Sequence, residues 1–386
     1  MATFQAFEYA RRIGAIKNAM ADARLDLLIV TSPPNMNYSV GYDAWSFYVP
    51  QAILLPLSGE PLWVGRAIDL ECARHTTVLP EDALFGYDDS YLAKGRHGAD
   101  YIAEIVRANF PGARQIGVEM DAPFYTAQFH ARLTASLPDR TLLDADTLIN
   151  WVRLVKSDAE LEVMRQAGAL TDIAMQRAID AIEPGVRQSH VAGLIYEALI
   201  NGHPDYCGDV PDFQTLPMGS RTSAPHLTWT DERFTSGSAC TLELGANRFR
   251  YHAPLARTVH VGPPPGELTD LASVVEEGLA SALAAVRPGA RASDVADAWN
   301  AVIGRAGIEK PSRIGYSIGL GYPPDWGERT VSLIATDPTP LQPNMVFHLM
   351  LGIWGRSSGY ELSETFIVTA KGASCLSGLD RRLSVK

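Results

Sequence analysis

Cysteine is scarce in this chain of 386 residues, and its spacing excludes two classes of stabilised fold. The four cysteines, Cys72, Cys207, Cys240 and Cys375, lie far apart and form no Cys-x-x-Cys pair. A disulfide framework or a zinc ribbon needs cysteines at defined, mostly short spacings, so neither is expected. This usage is typical of a protein that folds in a reducing compartment.

Long apolar runs and basic clusters are missing as well. No stretch approaches the roughly 18 apolar residues of a membrane-spanning helix. The N-terminal residues carry scattered charges instead of the apolar core of a secretory signal. We therefore expect a cytoplasmic protein with no membrane partner. The net charge is −11 without any cluster of lysine or arginine, which argues against nucleic acid as a partner.

The first part of the chain alternates helical and strand patterns. Helical spacing over residues 5–22 precedes an apolar run at 25–31, two strands are predicted within 52–65, and a helix over 97–109 precedes a strand at 115–121. Ser157 and Glu160 then form a capping-box sequence, which predicts the start of a long helix. These patterns predict two domains, residues 1–155 and 156–386.

A repeat divides the second part. The frame Pro-Gly-x-Arg-x-Ser occurs at residues 184–189 and again at 288–293, each time after a predicted helix and before another helix and strand pairs. One alternative is that the two frames are unrelated helix stops. Because the match extends into the flanking elements, we favour two copies of one unit. Two such units predict a pseudo-twofold domain whose sheets meet at a ligand-binding crevice.

The stretch TLELGANRFRYHAPLARTV (241–259), together with this repeat, resembles the creatinase/aminopeptidase superfamily of pita-bread proteins. That superfamily includes methionine aminopeptidase, Xaa-Pro aminopeptidase, prolidase and creatinase. The resemblance covers the whole chain. It implies an α/β (α+β) fold, in which a creatinase-like N-terminal α/β domain precedes a pseudo-twofold pita-bread catalytic domain. It also implies a homodimer.

The resemblance fails at the metal ligands. Metal-bearing members hold two cations with two aspartates, one histidine and two glutamates. The matching positions here are Glu243, Pro254, Tyr316, Met350 and the pair Ser363-Glu364. Proline and methionine cannot supply the oxygen or nitrogen ligands of such a centre, so we expect no metal and no other cofactor. A single metal held by Glu243, Glu364 and His252 is the less favoured alternative, and creatinase itself works without a metal.

Several longer strings resemble ectoine hydrolases within that superfamily. They are YDAWSFYVPQ (42–51), APHLTW (224–229), YHAPLARTV (251–259), GYPPDWGERTVSL (321–333) and FHLMLGIW (347–354). Ala44 and Ala253 depart from the pattern, in which a glycine and a cysteine are expected. The resemblance implies a small zwitterionic substrate, the cyclic amidine ectoine, which is hydrolysed to N-acetyl-diaminobutyrate without a metal.

Four residues are predicted to be catalytic. Glu243, flanked by leucines on a strand, is expected to attack the amidine carbon directly or to deprotonate a water. The alternative is that Glu243 forms a buried ion pair with Arg257. His226 matches the family's substrate-facing histidine and is the predicted proton donor. Tyr316 is expected to hydrogen-bond the nucleophile, and Glu364 is expected to bind an amidinium N–H.

Six further residues are predicted to bind substrate, although aromatic residues are more often core than binding site. They are Trp45, Phe47, Trp229, His252, Trp326 and Glu328. Rings could stack on the amidinium cation, and Glu328 could bind its N–H groups. An alternative for the loop carrying Glu328 is a surface turn with a solvated Glu-Arg pair. His348 and His260 are interpreted as structural.

Two other functions compete with this prediction. A related amidinohydrolase would act on creatine or another small guanidino acid, and a panel of substrates would distinguish it. A degenerate peptidase fold could instead serve as a peptide-binding module without catalysis. Such a module has no need of a Glu-His-Glu set beside a loop rich in tryptophan and proline, so the enzyme is favoured.

Overall fold

The structure is a computed structural model that describes residues 3–145 and 147–386. It comprises two compact units, one ending at Arg153 and the other running from Leu154 to Lys386. Both units mix helices with strands, which confirms the predicted α/β class. Among the described residues, no helix has both the length and the apolar character needed to cross a bilayer.

The N-terminal unit is a mixed sheet packed with helices. Its elements are α1 (Ala6–Asp22), β1 (Leu27–Val30), α2 (Pro33–Val40), β2 (Ala52–Pro56), β3 (Leu62–Arg66), α3 (Leu70–Thr76), β4 (Leu84–Tyr87), α4 (Gly98–Asn109), β5 (Gln115–Val118), α5 (Ala127–Ser136), β6 (Thr141–Asp144) and α6 (Leu148–Val152). The strand order is β4-β3-β2-β1-β5-β6. Strands β1, β5 and β6 run parallel, whereas β2 is antiparallel to both of its neighbours.

The core of this unit follows from its apolar runs. All four residues of β1 are buried, as expected for a central strand covered on both faces. Helix α4 begins with a capping box between His97 and Asp100 and packs the face that carries Ile102 and Val106 into the core.

The C-terminal unit contains the predicted repeat. Its first half consists of α7 (Asp158–Ala181), α8 (Gln188–Asn201), β7 (Ala239–Arg248) and β8 (Tyr251–His260). Its second half consists of α9 (Gly266–Ala285), α10 (Ala292–Arg305), β9 (Gly315–Tyr322), β10 (Asp325–Ser332), β11 (Val346–Met350), β12 (Ile353–Trp354), β13 (Gly359–Tyr360), β14 (Ser363–Thr369), β15 (Gly372–Cys375) and β16 (Ser384–Val385). The larger sheet runs in the order β15-β14-β11-β9-β8-β16, with β7 paired to β8 and β10 paired to β9.

The predicted capping box at the start of α7 is confirmed. The backbone N–H of Glu160 donates to Ser157 Oγ (3.3 Å), and the backbone N–H of Ser157 donates to Glu160 Oε2 (2.8 Å). The other carboxylate oxygen of Glu160 accepts a hydrogen bond from the Tyr251 hydroxyl (2.7 Å). The cap therefore also ties the helix to the first residue of β8.

Equivalent turns join the helices of each half. Gly185 and Gly289 both adopt positive φ angles, 87° and 83°, which glycine reaches without steric cost. The N–H of Gly185 donates to Phe234 O, and that of Gly289 donates to Leu341 O, both at 2.8 Å. The two Pro-Gly frames are thus matching turns of a repeated helix–turn–helix.

Each half has its own apolar core between its helices and its strands. In the first half, Leu242 and Leu244 of β7 pack with residues of α7 and α8. In the second half, Phe347 and Leu349 of β11 pack with Trp299 of α10. Because side chains alternate along a strand, the intervening residues of β7 and β11 point to the opposite face of the sheet.

Candidate active site

A cavity of about 570 Å³ lies in the C-terminal unit and receives residues from both halves. Among the residues that line it are Thr215, His226, Glu243, Lys310, Arg313, Tyr316, Asp325, Trp326, Met350 and Trp354. This volume falls in the range of small-molecule sites, and a mixture of aromatic and charged side chains is typical of them.

Glu243 is the most deeply buried acid of the cavity lining. It sits between Leu242 and Leu244, which both face the core, so its own side chain points to the cavity face. The backbone N–H of Glu243 donates to the hydroxyl of Thr215 (3.2 Å). The residue is only 7 % exposed, and this burial raises the pKa of its carboxyl to about 7. At neutral pH, Glu243 is therefore balanced between a proton acceptor and a proton donor.

A hydrogen-bonded chain of side chains lies next to Glu243. The indole N–H of Trp326 donates to the Tyr316 hydroxyl (2.9 Å), which lies 3.3 Å from Nδ1 of His348. His348 Nε2 is 2.8 Å from the hydroxyl oxygen of Ser363. His348 Nδ1 is also 4.0 Å from Glu243 Oε1. The chain fixes the Tyr316 hydroxyl and the imidazole close to the carboxylate.

The sequence predicts a structural role for His348, yet its side chain belongs to this hydrogen-bonded series next to Glu243. Its register explains the position, because β11 pairs His348 with Tyr316 on β9. A signal was present in the sequence: Met350, at a family ligand position, is two residues away and therefore on the same face of the strand. Burial, reinforced by the nearby Arg313, lowers the pKa of His348 to about 3, so its imidazole is neutral at physiological pH.

His226 reaches the cavity from a loop. It follows the short 3₁₀ helix Gly219–Ser223 and is exposed, unlike Glu243. The N–H of Leu227 and the carbonyl of Ala224 close a turn around it (3.4 Å). His226 and Glu243 thus line the same cavity from separate elements.

Two charged residues that the sequence did not single out contact Trp354 of the cavity lining: Lys310, which itself lines the cavity, and Glu361. Lys310 Nζ donates to the Gly352 carbonyl (2.7 Å) and lies 4.3 Å from the centroid of the Trp354 ring. The indole N–H of that tryptophan donates to Glu361 Oε1 (2.7 Å). Burial lowers the pKa of Lys310 to about 8. The pKa of Glu361 is raised to about 8, mainly by burial and to a smaller extent by the charge of Glu243.

Glu364 and Arg257 form a separate buried cluster. Glu364 Oε1 accepts from Arg257 Nη2 (2.9 Å) and from Arg381 Nε (3.0 Å), and its side chain is fully buried. Glu364 is therefore not placed in the cavity lining, in contrast to the catalytic position expected for it. Arg257 is engaged by Glu364, so the alternative in which it pairs with Glu243 is not what the structure shows.

Of the four residues of the C-terminal unit that are predicted to bind substrate, three also lie outside the cavity lining. Trp229 packs edge-on against Tyr196 beside the first-half core. The buried His252 has Nε2 at 2.8 Å from Asp212 Oδ2.

The third is Glu328, which is buried on strand β10 and forms an ion pair with Lys156 (2.6 Å). The alternative of a solvated Glu-Arg pair on a surface turn is therefore wrong for Glu328. Trp326, by contrast, does line the cavity.

Trp45 and Phe47 belong to the N-terminal unit. Their ring centroids are 5.4 Å apart, and Phe47 also contacts Phe124 at 4.7 Å. Trp45 is 45 % exposed, which is unusual for an indole and leaves part of the ring accessible.

The side chains at the family's metal positions do not fit a two-metal centre. Tyr316 and Met350 line the cavity, Pro254 pairs with Gly245 inside the sheet, and Ser363 contacts His348. Throughout residues 3–145 and 147–386, no group of three or more His, Cys, Asp or Glu residues is arranged to hold a metal ion. Two carboxylates remain at these positions, Glu243 and Glu364, and Glu364 is held in ion pairs with Arg257 and Arg381.

Comparisons with known proteins agree with this architecture. Residues 162–370 match the metallopeptidase family M24, and residues 12–155 match the creatinase/prolidase N-terminal domain. An "Uncharacterized hydrolase/peptidase y4tM" of Sinorhizobium fredii is 44% identical over 99% of this chain and 98% of its own. The "Ectoine hydrolase" of Halomonas elongata is 39% identical over 98% of this chain and 97% of its own.

Solved structures show the same fold. Dipeptidase PepE from Mycobacterium ulcerans superimposes with a TM-score of 0.84 at 25% identity, covering 99% of both chains. A prolidase from Thermococcus sibiricus gives a TM-score of 0.87 at 18% identity, over 99% of this chain and 100% of its own. The chain is a hydrolase that belongs to the metallopeptidase family M24 and carries a creatinase/prolidase N-terminal domain.

Proposed function

We propose that this protein hydrolyses ectoine to N-acetyl-diaminobutyrate without a metal ion, using Glu243 as the acting carboxylate. The observation that carries the proposal is the buried Glu243 at a family ligand position, in a small-molecule cavity that lacks the other ligands. The relative named ectoine hydrolase supports the choice of substrate.

The chemistry suits a site without a Lewis acid. Protonation delocalises positive charge over both nitrogens of a cyclic amidine and makes the carbon between them electrophilic. An ionised Glu243 stabilises that cation and either attacks the carbon itself or removes a proton from the attacking water. A pKa near 7 places the carboxyl in the range where a general base works well.

The remaining steps use other residues of the lining. As the ring C–N bond breaks, the departing nitrogen takes a proton from His226, leaving an acetamide on one nitrogen and an amine on the other. The Tyr316 hydroxyl, held by Trp326 and His348, hydrogen-bonds the oxygen that adds to the carbon. One water is consumed per ring opened, so the reaction balances without any further reactant.

Turnover by metal-depleted protein tests the proposal. Protein treated with EDTA is incubated with ectoine and followed by proton NMR, where a growing N-acetyl signal is expected. Activity that appears only after a divalent metal is added would contradict the metal-independent route. Absence of turnover in both conditions would overturn the substrate, and creatine and other guanidino acids would then be tried.

The two routes for Glu243 differ in one intermediate. Direct attack forms an ester-like adduct between Glu243 and the substrate, which one water then hydrolyses to release the product and regenerate the carboxylate, whereas the water route forms no adduct. Rapid quench followed by mass spectrometry of the Glu243 peptide is expected to show the adduct mass, and its absence during turnover would assign Glu243 as a base.

A homodimer is also proposed, on the strength of the family resemblance. Light scattering after size-exclusion chromatography is expected to give twice the chain mass of 41.9 kDa. The substrate contacts predicted for Trp45 and Phe47 stay predictions, which Trp45→Ala tests through the KM for ectoine.

A further inference from the structure

A pair of cations lines the cavity on the segment that joins α10 to β9. Lys310 is half-buried, whereas Arg313, three residues later, is exposed. Both belong to the cavity lining, and neither was assigned a role by the sequence motifs. Burying an ammonium group costs free energy, and burial indeed lowers the pKa of Lys310. The retention of a lysine at this half-buried position therefore indicates a functional role.

Both cations are positioned by aromatic faces. Lys310 Nζ is fixed by the Gly352 carbonyl and by the Trp354 ring, whose centroid lies 4.3 Å away. The Arg313 guanidinium carbon lies 4.3 Å from the centroid of the Tyr316 ring, and its Nη1 donates to Ser332 Oγ (3.2 Å). Each group keeps further N–H donors beyond these contacts, since an ammonium has three and a guanidinium five.

We propose that Lys310 and Arg313 form an anion subsite that binds the carboxylate of the substrate while its amidinium end faces Glu243. This inference rests on the proposed function and deepens it by assigning substrate selectivity. The cavity is bipolar, because Glu243 and these two cations line the same volume. A zwitterion with its charges a few bonds apart is complementary to such a site, whereas a simple amidine satisfies only one end.

Glu361 does not oppose this assignment. Its carboxyl is buried and hydrogen-bonded to the Trp354 indole, on the same ring that supports Lys310. Burial and the nearby Glu243 favour the neutral form of Glu361, so it adds little repulsion toward an incoming carboxylate near neutral pH. The subsite therefore presents net positive charge to the substrate.

The test removes the charge from the protein and the carboxylate from the substrate in turn. Lys310→Met is compared with wild type for kcat/KM on ectoine and on the same cyclic amidine without its carboxylate. We expect kcat/KM for ectoine to fall about ten- to a hundredfold, and the preference of the enzyme for ectoine over the simple amidine to collapse. Lys310→Arg should restore most of that preference.

A matched control is Lys371→Met, which removes an exposed lysine between β14 and β15. It should leave the ratio of kcat/KM for ectoine to kcat/KM for the simple amidine unchanged. An equal loss on both substrates in Lys310→Met would overturn the subsite, because the residue would then act on folding or on the amidine end.

Binding separates failure of the subsite from failure of the proposed function. Calorimetry measures the Kd of ectoine and of the simple amidine for the Glu243→Gln protein, with and without Lys310→Met. Tighter binding of ectoine that depends on Lys310 supports the subsite even if wild type shows no turnover. Ectoine binding that is unaffected by Lys310→Met, or absent altogether, overturns it.

Discussion

His348 Nδ1 lies 4.0 Å from Glu243 Oε1, but the two side chains do not form an ion pair at neutral pH. Burial lowers the pKa of His348 to about 3, so the imidazole is uncharged when Glu243 ionises. Its Nε2 contacts Ser363 and its Nδ1 contacts Tyr316, which fixes the ring orientation. Glu243 consequently remains a basic carboxylate instead of one neutralised by a cation.

Replacing Glu243 by glutamine should abolish most turnover, by about 100- to 10,000-fold, because the amide can neither attack nor accept a proton. The same change should relieve a cost of burial. Since the folded-state pKa of Glu243 is raised from 4.5 to about 7, ionisation favours the unfolded chain. The free energy of unfolding of wild type should therefore fall as pH rises from about 4.5 to about 7.

Urea unfolding of wild type and Glu243→Gln at pH 4 and pH 8 measures this effect. Between pH 4 and pH 8, the free energy of unfolding of Glu243→Gln should rise by roughly 2–3 kcal/mol relative to that of wild type. Glu183→Gln, at an exposed position, should show no such gain. A pH-independent difference between wild type and Glu243→Gln would contradict the raised pKa.

The pH profile of kcat/KM for ectoine should be a narrow bell. Its acid limb reflects ionisation of Glu243, with pKa about 7, and its alkaline limb reflects loss of charge from Lys310, with pKa about 8. Lys310→Arg should move only the alkaline limb, toward higher pH, because a guanidinium stays charged. A profile whose alkaline limb does not move in that variant would rule out Lys310 as its source.

Tyr316→Phe should lower kcat more than it raises KM. The Tyr316 hydroxyl accepts a hydrogen bond from the Trp326 indole and approaches His348. Its removal leaves the indole N–H without this acceptor, and it leaves the oxygen that adds to the amidine carbon without a hydrogen-bond donor. Loss of one such donor costs about a hundredfold in turnover. Steady-state kinetics would show the split, and Tyr206→Phe, outside the cavity lining, serves as the control. A pure KM effect would indicate a binding role.

The ion pair between Lys156 and Glu328 should be structural. Both side chains are almost fully buried, at 0% and 1% exposure, so removing one partner leaves a buried charge. Glu328→Gln is expected to lower the free energy of unfolding by about 3–5 kcal/mol. The double variant Lys156→Met/Glu328→Gln should recover part of this loss. Wild-type stability combined with a raised KM in Glu328→Gln would instead favour the substrate contact predicted from sequence.

Local patterns in the sequence predicted the fold well. The capping box at Ser157 and Glu160 marks the start of α7 because its two hydrogen bonds join residues only three apart. The Pro-Gly frames at Gly185 and Gly289 likewise encode local turns. Features of this kind depend on neighbouring residues, so a single sequence contains them.

The residues that form the site are harder to predict from the sequence, because the site depends on strand register and on contacts between residues distant in sequence. Glu361 and Glu364 are three residues apart, yet one bonds Trp354 and the other binds Arg257 and Arg381. Only the paired strands show which acid is near the cavity. Lys310 was missed for a similar reason, since its partner Gly352 is 42 residues away.

Pro254, at the centre of a paired strand, bears on the evolutionary history of this site. Proline lacks an amide hydrogen, and here its ring closely approaches Gly245, where an added Cβ would lie 3.0 Å from Pro254 Cα. An aspartate at 254 would change the backbone donors of the strand as well as add a carboxylate. Tyr316, Met350 and Ser363 would also have to change before two metals could bind. A dinuclear centre would thus require several substitutions together, because none of them alone completes the set of ligands.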